Sequence, residues 1–259
     1  MKKNLTNSNE SYWTVYGINP IEALLQKAPD SILEIYIIDK PPNKRLKKIL
    51  ELLNSLVINF NFLDKLNLDK ISRNNKHQGI VVRIKPLKFK NQNDLKRDIT
   101  TSDFNQLFLI LDSIQDPSNL GSCIRTAAAA GVKGIIINQN GSAKINEYVF
   151  KSSAGAIFNL NLYFVPNLTQ SIKLLKENGF WIFGLSSESK NTIYDEKFIG
   201  KTGIVLGSEG TGIRKLIIDN CDNMLKIPMN KNTESLNLSV AAGIALYEIN
   251  RQLDKEIKK

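Results

Sequence analysis

The chain has 259 residues, 42% of them hydrophobic, with a formal net charge of +10, two cysteines and a single histidine. This length fits one large domain or two moderate ones with a substantial core, and no apolar run is long enough to predict a membrane span. So few cysteines and histidines exclude a disulfide framework and argue against a zinc site or a histidine-based triad, so no metal is expected. The polar start predicts no secretory signal, and a reducing, cytoplasmic compartment is the default expectation.

The positive charge is distributed unevenly along the chain. Residues 1–101 hold 18 Lys and Arg against 10 Asp and Glu, whereas residues 102–259 hold 17 against 15. A basic region beside a nearly neutral one is typical of a polyanion-binding module attached to an enzyme. A lysine-rich surface that only confers solubility explains the same count equally well.

The first part of the chain predicts a small α/β domain over residues 12–85, preceded by a disordered segment over 1–11. A helix is expected over Gly17–Gln26, with Asn19 as N-cap and Pro20 at the first helical position. The other elements expected here are a strand over Ile32–Ile38, a helix over Pro42–Leu53, a strand over Val57–Phe60, a helix over Phe62–Leu68 and a strand over Gly79–Ile84.

A polar stretch over 86–104 is interpreted as a linker, and a second domain is expected over 105–254, with a frayed end over 255–259. Its strands are predicted at Leu107–Leu111, Gly134–Asn138, Leu160–Val165, Phe180–Leu185, Gly203–Leu206 and Met224–Ile227. Helices are predicted at 121–130, 145–153, 168–178, 211–219 and from Leu238 to about Leu253. This alternation predicts a parallel sheet with helices on both faces.

Three segments of the second domain carry most of the chemical information: Leu111–Ala128, Val205–Ile213 and Ile227–Ser239. In each, a strand ends in a polar, Gly- or Pro-rich loop that opens into a helix. Because the carboxyl ends of parallel strands share one edge of a sheet, three such loops side by side predict a ligand pocket.

Taken one at a time, the side chains in these segments have ordinary explanations. Arg125 carries a fixed planar cation that suits a phosphate, but a lone helical arginine more often forms a surface salt bridge. The Gly207–Gly212 loop is neither a P-loop nor a dinucleotide fingerprint. Glu209 within that loop would repel a phosphate and fits an uncharged or cationic ligand, or it simply favours the helix dipole. Ser235 alone is most simply a helix cap.

Jointly, the three segments resemble the signature motifs of the SpoU/TrmH group of the SPOUT RNA methyltransferases. The resemblance spans residues 107–250 and rests on the following positions: Asp112, Asn119, Gly121, Arg125-Thr-Ala, Gly131, Lys151-Ser-Ser-Ala-Gly-Ala156, Leu206-Gly-Ser-Glu-Gly-Thr-Gly-Ile213, Ile227-Pro-Met and Ser235-Leu-Asn. Val15–Leu25 and His77–Ile80 resemble the small α/β, ribosomal-protein-like substrate domain of the branch that methylates a guanosine ribose in 23S rRNA. The resemblance implies a deep C-terminal trefoil knot and a homodimer formed through the C-terminal domain, with the pocket near the subunit interface.

The implied activity is transfer of a methyl group from S-adenosylmethionine to a ribose 2′-hydroxyl of RNA. The resemblance assigns the cofactor to six positions: Leu206, Gly207, Ile227, Met229, Ser235 and Leu236. It makes Arg125 the central catalytic residue, surrounded by Asn119, Glu209, Ser235 and Asn237. Since a guanidinium is hardly ever deprotonated, Arg125 is expected to clamp the substrate phosphate and stabilise the developing alkoxide.

The loop around His77 is the expected RNA contact of the basic domain, together with Gln78, Arg73 and Lys76. His77 can stack on or hydrogen-bond to an unpaired base, although a purely structural turn histidine fits nearly as well. Two positions depart from the family pattern, which often has His at Asn19 and usually Gly at Lys231. The latter change makes the loop near the cofactor bulkier and more basic.

Three other functions stay open at this point. A tRNA ribose methyltransferase of the same family usually lacks the N-terminal module, and a drug-resistance enzyme that acts on an rRNA adenosine shares the whole architecture. A non-catalytic RNA-binding or ribosome-assembly factor is disfavoured by the intact set of polar residues in the three segments.

Overall fold

The computed structural model of the chain describes residues 12–41, 43–100, 105–230, 232–233 and 235–257, with side chains described as far as Leu253. The predictions for residues 1–11 and for Lys231 therefore lie outside the described residues. The chain divides into two compact units, residues 1–88 and residues 89–259.

The first unit is a four-stranded sheet with three helices. Its strands are β1 (Trp13–Tyr16), β2 (Ile32–Ile38), β3 (Asn61–Leu63) and β4 (Ile80–Ile84), and its helices are α1 (Ile18–Lys27), α2 (Lys44–Ser55) and α3 (Lys65–Ser72). The strand order is β1-β4-β2-β3, and of these pairs only β2 and β3 run parallel. One buried cluster of this unit joins Tyr16, Leu68 and Val81.

Three predicted boundaries of this unit are wrong. Helix α1 has Gly17, not Asn19, at its N-cap position. The strand predicted over Val57–Phe60 is not formed, and β3 follows it at Asn61–Leu63; Val57 has a φ of +55°, which an extended strand does not tolerate. Helix α3 begins after Asp64, whose side chain accepts a 2.8 Å hydrogen bond from the backbone N–H of Asn67.

The second unit is a seven-stranded sheet covered by helices. Its strands are β5 (Leu107–Asp112), β6 (Gly134–Asn138), β7 (Leu162–Val165), β8 (Trp181–Leu185), β9 (Asn191–Thr192), β10 (Thr202–Gly207) and β11 (Asn223–Lys226). Its helices are α4 (Gln92–Asp98), α5 (Pro117–Ala129), α6 (Glu147–Ser152), α7 (Leu168–Glu177), α8 (Lys215–Ile218) and α9 (Leu238–Ile257). The order is β7-β6-β5-β10-β8-β11-β9, and every neighbouring pair is parallel, as the sequence predicts.

The predicted linker over 86–104 needs correction, because most of its described residues belong to the second unit. The backbone of Lys90 exchanges hydrogen bonds of 3.0 and 2.9 Å with Leu162 and Phe164 of β7. Helix α4 follows, and Leu95 and Ile99 are fully buried in the main core of the unit. The polar composition of the segment conceals these two apolar anchors.

Two helices that border the three polar segments also differ from the prediction. Helix α5 begins at Pro117, four residues earlier than expected, because the side chain of Asp116 caps it by accepting hydrogen bonds from Ser118 and Asn119. Helix α8 is shorter than expected, because a 2.8 Å hydrogen bond from the Gly212 N–H to the Ser208 carbonyl closes a turn where the helix was predicted.

The last helix and the packing around α5 complete the unit. Helix α9 runs into the segment predicted to fray, which is thus helical at least as far as Ile257. Gly121 allows α6 to lie close against α5, since a Cβ there would come within 1.9 Å of Ser152 Oγ. Within the described ranges, no helix combines the length and apolar character needed to cross a bilayer.

Candidate active site

A cavity of about 540 Å³ opens at the carboxyl edge of the sheet in the second unit. The sheet reverses its strand order between β5 and β10, and ligands of open parallel sheets bind at such a switch point. The cavity lies beside this point and is lined by the loops that follow β8, β10 and β11 and by the start of α9. Its volume is within the range of about 300–1,000 Å³ found for small-molecule sites.

All six residues predicted for the cofactor line this cavity: Leu206, Gly207, Ile227, Met229, Ser235 and Leu236. Leu206 and Ile227 are buried and form apolar wall, whereas Ser235 is exposed. The last two of the three predicted segments therefore meet at one pocket.

Gly207 brings two stretches of backbone into close approach. A Cβ at this position would lie 2.1 Å from the carbonyl carbon of Gly212 and 2.2 Å from the nitrogen of Ile213. Any side chain here would displace the backbone of the loop that lines the cavity. The glycine is thus required by the space in the loop rather than by a left-handed backbone conformation, since its φ is not positive.

Asn119, Glu209 and Asn237 form one hydrogen-bonded group at the rim of the cavity. The Asn119 amide donates to Glu209 Oε1, and Asn237 Nδ2 donates to Asn119 Oδ1 at 3.1 Å. Asn237 Oδ1 in turn accepts from the backbone N–H and the hydroxyl of Ser239, at 3.0 and 2.7 Å. These contacts bring together residues from all three segments. Each residue donates to the next, from Ser239 through Asn237 and Asn119 to the Glu209 carboxylate.

The helix that carries Asn119 places Cys123 beneath the same group. Cys123 is buried, and burial together with the charge of Glu209 raises the pKa of its thiol to about 12. The thiol is therefore protonated at physiological pH, and a nucleophilic role for this cysteine does not fit its surroundings.

Arg125 lies on α5 but outside the cavity lining. It is six residues beyond Asn119, which is about 9 Å along the helix and about 120° around it. The side chain is exposed, and no described residue forms an ion pair with it. The surface salt bridge that a lone helical arginine favours is therefore absent among the described residues.

In the first unit, His77 is only 3% exposed, which corrects the interpretation of its ring as an RNA contact. Its Nδ1 accepts a 3.0 Å hydrogen bond from the Gly79 N–H, so the proton is on Nε2, which donates to Asp69 Oδ1 at 3.0 Å. This geometry supports the structural turn histidine, the alternative left open by the sequence.

The neighbours of His77 differ in their contacts and exposure. Gln78 Oε1 accepts a 3.0 Å hydrogen bond from the N–H of Ile18 and so caps α1 across the unit. Arg73 and Lys76 are exposed and stay candidates for contact with RNA. Asn19, where the family often has His, accepts a 2.7 Å hydrogen bond from Arg45.

The sequence prediction omitted one wall of the cavity, the loop after β8 with Ser186, Ser187 and Glu188. The polar residues directly after a predicted strand were the available signal, because that strand ends at the same edge as the others. With Glu188, the lining holds two carboxylates and no Lys or Arg side chain among the described residues. This balance favours a ligand that carries positive charge.

The fold and this pocket define an α/β enzyme that binds a small molecule at the switch point of a parallel sheet. Residues 106–247 match the model of the SpoU rRNA Methylase family, and residues 14–90 match the model described as RNA 2'-O ribose methyltransferase substrate binding. Among the described residues no cluster of His, Cys, Asp and Glu is arranged to hold a metal ion.

Whole-chain relatives agree with these matches. The 23S rRNA (guanosine-2'-O-)-methyltransferase RlmB of Vibrio vulnificus is 40% identical over 92% of this chain and 96% of its own length. The enzyme of the same name from Escherichia coli is 38% identical over 92% of this chain and 98% of its own. The structure of the SpoU methyltransferase AviRb of Streptomyces viridochromogenes with AdoMet has a TM-score of 0.76 at 22% identity, covering 96% of this chain and 94% of AviRb. The chain belongs to the SpoU rRNA methylase family.

Proposed function

We propose that this protein transfers the methyl group of S-adenosylmethionine to the 2′-hydroxyl of a guanosine in 23S rRNA. The observation that carries the proposal is the group formed by Asn119, Glu209 and Asn237 at the rim of the cavity. It gathers residues from three distant segments beside a pocket sized for a nucleoside-containing ligand. The relatives that match nearly the whole chain bear the name of this activity.

The residues of the cavity fit S-adenosylmethionine. Gly207 has no side chain, and the backbone amide and carbonyl groups of its loop would be available to bind an adenine or ribose. Leu206 and Ile227 supply apolar wall, and Glu188 and Glu209 offset a positive charge. When bound, the cofactor supplies an electrophilic methyl group on a sulfonium.

The 2′-hydroxyl is a weak acid, so it needs polarisation or removal of its proton during the transfer. Glu209 offers a carboxylate whose Oε1 already accepts from Asn119, which leaves Oε2 to accept from the ribose hydroxyl. Asn237 holds the Asn119 amide in orientation through its 3.1 Å hydrogen bond. Ser235, two residues before Asn237, lines the cavity and would contact the cofactor or the ribose.

In this proposal the protein is a homodimer, and Arg125 of one protomer acts at the cavity of its partner. Its guanidinium is exposed on α5, which packs against α6 and α9. Those helices expose three large apolar side chains that a second copy would cover: Tyr148, Val240 and Tyr247. A guanidinium contributed across such an interface would bind the substrate phosphate and stabilise the alkoxide.

Radiolabel transfer from S-adenosylmethionine to rRNA, followed by mapping of the modified nucleotide, tests the activity and separates the alternatives. A label on 23S guanosine supports the proposal. A label on tRNA or on an rRNA adenosine indicates the sister activities, and no transfer by the folded protein favours an assembly factor. The relatives that match this chain over its substrate-binding module as well are named as 23S rRNA enzymes, which favours rRNA over tRNA.

Mixing two impaired variants tests the shared site. Arg125→Ala should lose nearly all methylation while keeping cofactor binding, and Glu209→Gln should retain only a small residual rate of methylation. If Arg125 acts across a twofold interface, refolding them together in equal amounts restores about a quarter of wild-type activity, because half of the dimers then hold one intact site. No restoration, or a monomer by light scattering, contradicts the role.

The same proposal includes two domains, near residues 12–88 and 89–257, and a trefoil knot. It also includes a cytoplasmic location, where rRNA is modified.

A further inference from the structure

Asp112, at the end of β5, is a fully buried carboxylate for which the proposed function has no role. Its Oδ2 accepts a 3.0 Å hydrogen bond from the backbone N–H of Arg214. Its Oδ1 accepts from Arg214 Nε at 2.8 Å and from Ser113 Oγ at 3.1 Å, and lies 2.6 Å from Arg214 Nη2. Both carboxylate oxygens of Asp112 therefore have partners, and three of the four contacts come from Arg214.

These contacts anchor the two ends of one loop at a single residue. Gly207, at the end of β10, is the parallel neighbour of Asp112 in the sheet. Arg214, where α8 begins, is bound by the Asp112 side chain. Both ends of the segment from Gly207 to Arg214 are therefore held next to Asp112, Gly207 by strand pairing and Arg214 by the Asp112 side chain. Among the described residues, those between Gly207 and Arg214 make only one long-range side-chain hydrogen bond, which joins Glu209 to Asn119.

Asp112 is also close in sequence to Asn119, the residue that binds Glu209. Asp116, four positions on, caps α5 and accepts from the backbone N–H of Asn119 at 3.1 Å. The strand end at Asp112 thus precedes the helix that carries Asn119 and also anchors the loop that carries Glu209. Two guanidinium nitrogens of Arg214 contact Asp112 Oδ1, and this planar pair of donors fixes direction as well as distance, which a lysine could not do.

We propose that Asp112, acting through Arg214, is a positioning residue for methyl transfer that holds the Glu209 carboxylate against Asn119. The inference rests on the proposed function, because it gives the Glu209 carboxylate a part in the transfer. Neither Asp112 nor Arg214 is required to touch the cofactor or the RNA. Arg214 lies outside the lining of the cavity, and its side chain is 50% exposed.

The test is a double-mutant cycle on kcat, measured for the full-length protein with saturating S-adenosylmethionine and 23S rRNA. Arg214→Ala leaves Asp112 its backbone and Ser113 donors and removes only the side-chain clamp. It should lower kcat by at least about 10-fold in the wild-type background, since misplacement of catalytic groups by about 1 Å costs up to about 100-fold. In a Glu209→Ala background the same substitution should have no further effect, because the group that it positions is gone.

Lys215→Ala is the matched control, because Lys215 is the next residue, is 82% exposed and pairs only with Asp219 among the described residues. It should retain wild-type kcat. Arg214→Lys should recover part of the loss without restoring the planar pair of donors on Asp112 Oδ1. Asp112→Asn should reproduce the effect of Arg214→Ala if it folds, which circular dichroism checks separately.

The outcomes separate the two proposals. A wild-type protein that transfers no methyl group to rRNA refutes the proposed function. An active wild type in which Arg214→Ala changes kcat less than about twofold overturns the positioning role. Losses that multiply in the Arg214→Ala, Glu209→Ala double variant also overturn it, because Arg214 then acts independently, for instance on the RNA.

Discussion

Replacing Gly207 by alanine adds one methyl group where the structure has no room for it. The new Cβ would lie 2.1 Å from the carbonyl carbon of Gly212 and 2.2 Å from the Gly212 oxygen and the Ile213 nitrogen. All three are backbone atoms, which cannot rotate away as a side chain could, so the loop must retreat by about 1 Å or more to restore ordinary contact. Displacements of this size in an active site cost about 100-fold in rate, or about 2.7 kcal/mol.

We expect Gly207→Ala to lower kcat/KM for methyl transfer by about 100-fold, mainly through weaker binding of S-adenosylmethionine. Isothermal titration calorimetry measures that binding directly, without the RNA. Gly210→Ala is the control, because it lies in the same loop, has no positive φ and has no atom within 4 Å of the place that the added methyl group would take. It should bind the cofactor more tightly than Gly207→Ala does, because no backbone has to move to accept the added methyl group.

Wild-type affinity in Gly207→Ala would refute the argument that close backbone approach shapes this pocket. Equal losses in the two variants would also refute it, since the effect would then come from alanine in the loop rather than from the collision.

The other predictions concern single contacts. His77→Ala should lower the free energy of unfolding by about 2–3 kcal/mol in urea titrations, because it removes a buried ring and leaves the Gly79 N–H without its acceptor; unchanged stability with weakened RNA binding would restore the RNA-contact interpretation. The pKa of Asp98 is lowered overall, since burial raises it but the hydrogen bonds from Lys90 and Tyr163 outweigh that effect. Asp98→Asn should therefore cost about 1 kcal/mol above the unfolded pKa of about 3.9, and the difference should vanish as the pH falls through the lower folded pKa; a cost that persists at pH 2 contradicts this. Burial raises the pKa of the Cys123 and Cys221 thiols to about 12, so neither should react with iodoacetamide at pH 8 unless the protein is unfolded, and rapid labelling of the native protein would show that these sites open.

The local sequence predicts the core strands of this fold well where the pattern of apolar residues is unambiguous. Short apolar runs such as those in Leu107–Leu111 and Gly134–Asn138 predict strands buried on both faces, and both are strands in the structure. Boundaries fail where a single polar side chain decides them: Asp116 starts α5 early, and Asp64 starts α3 late. The segment over 86–104 misleads for a related reason, since two buried residues, Leu95 and Ile99, outweigh its polar composition once β7 is present to receive it.

For the candidate site, the sequence by itself predicted where a ligand pocket lies. Leu206 and Gly207 end β10 and Ile227 directly follows β11, and the geometry of a parallel sheet sends all such strand ends to one edge, where the cavity lies. The tertiary structure alone decided which polar side chains meet there. Asn119 finds Glu209 and Asn237 across 90 and 118 residues of chain, whereas Arg125, only six residues from Asn119, lies outside the cavity lining. Local spacing fixes the direction of a side chain on its own helix, but contacts between distant segments depend on how the strands are ordered, and no single segment encodes that order.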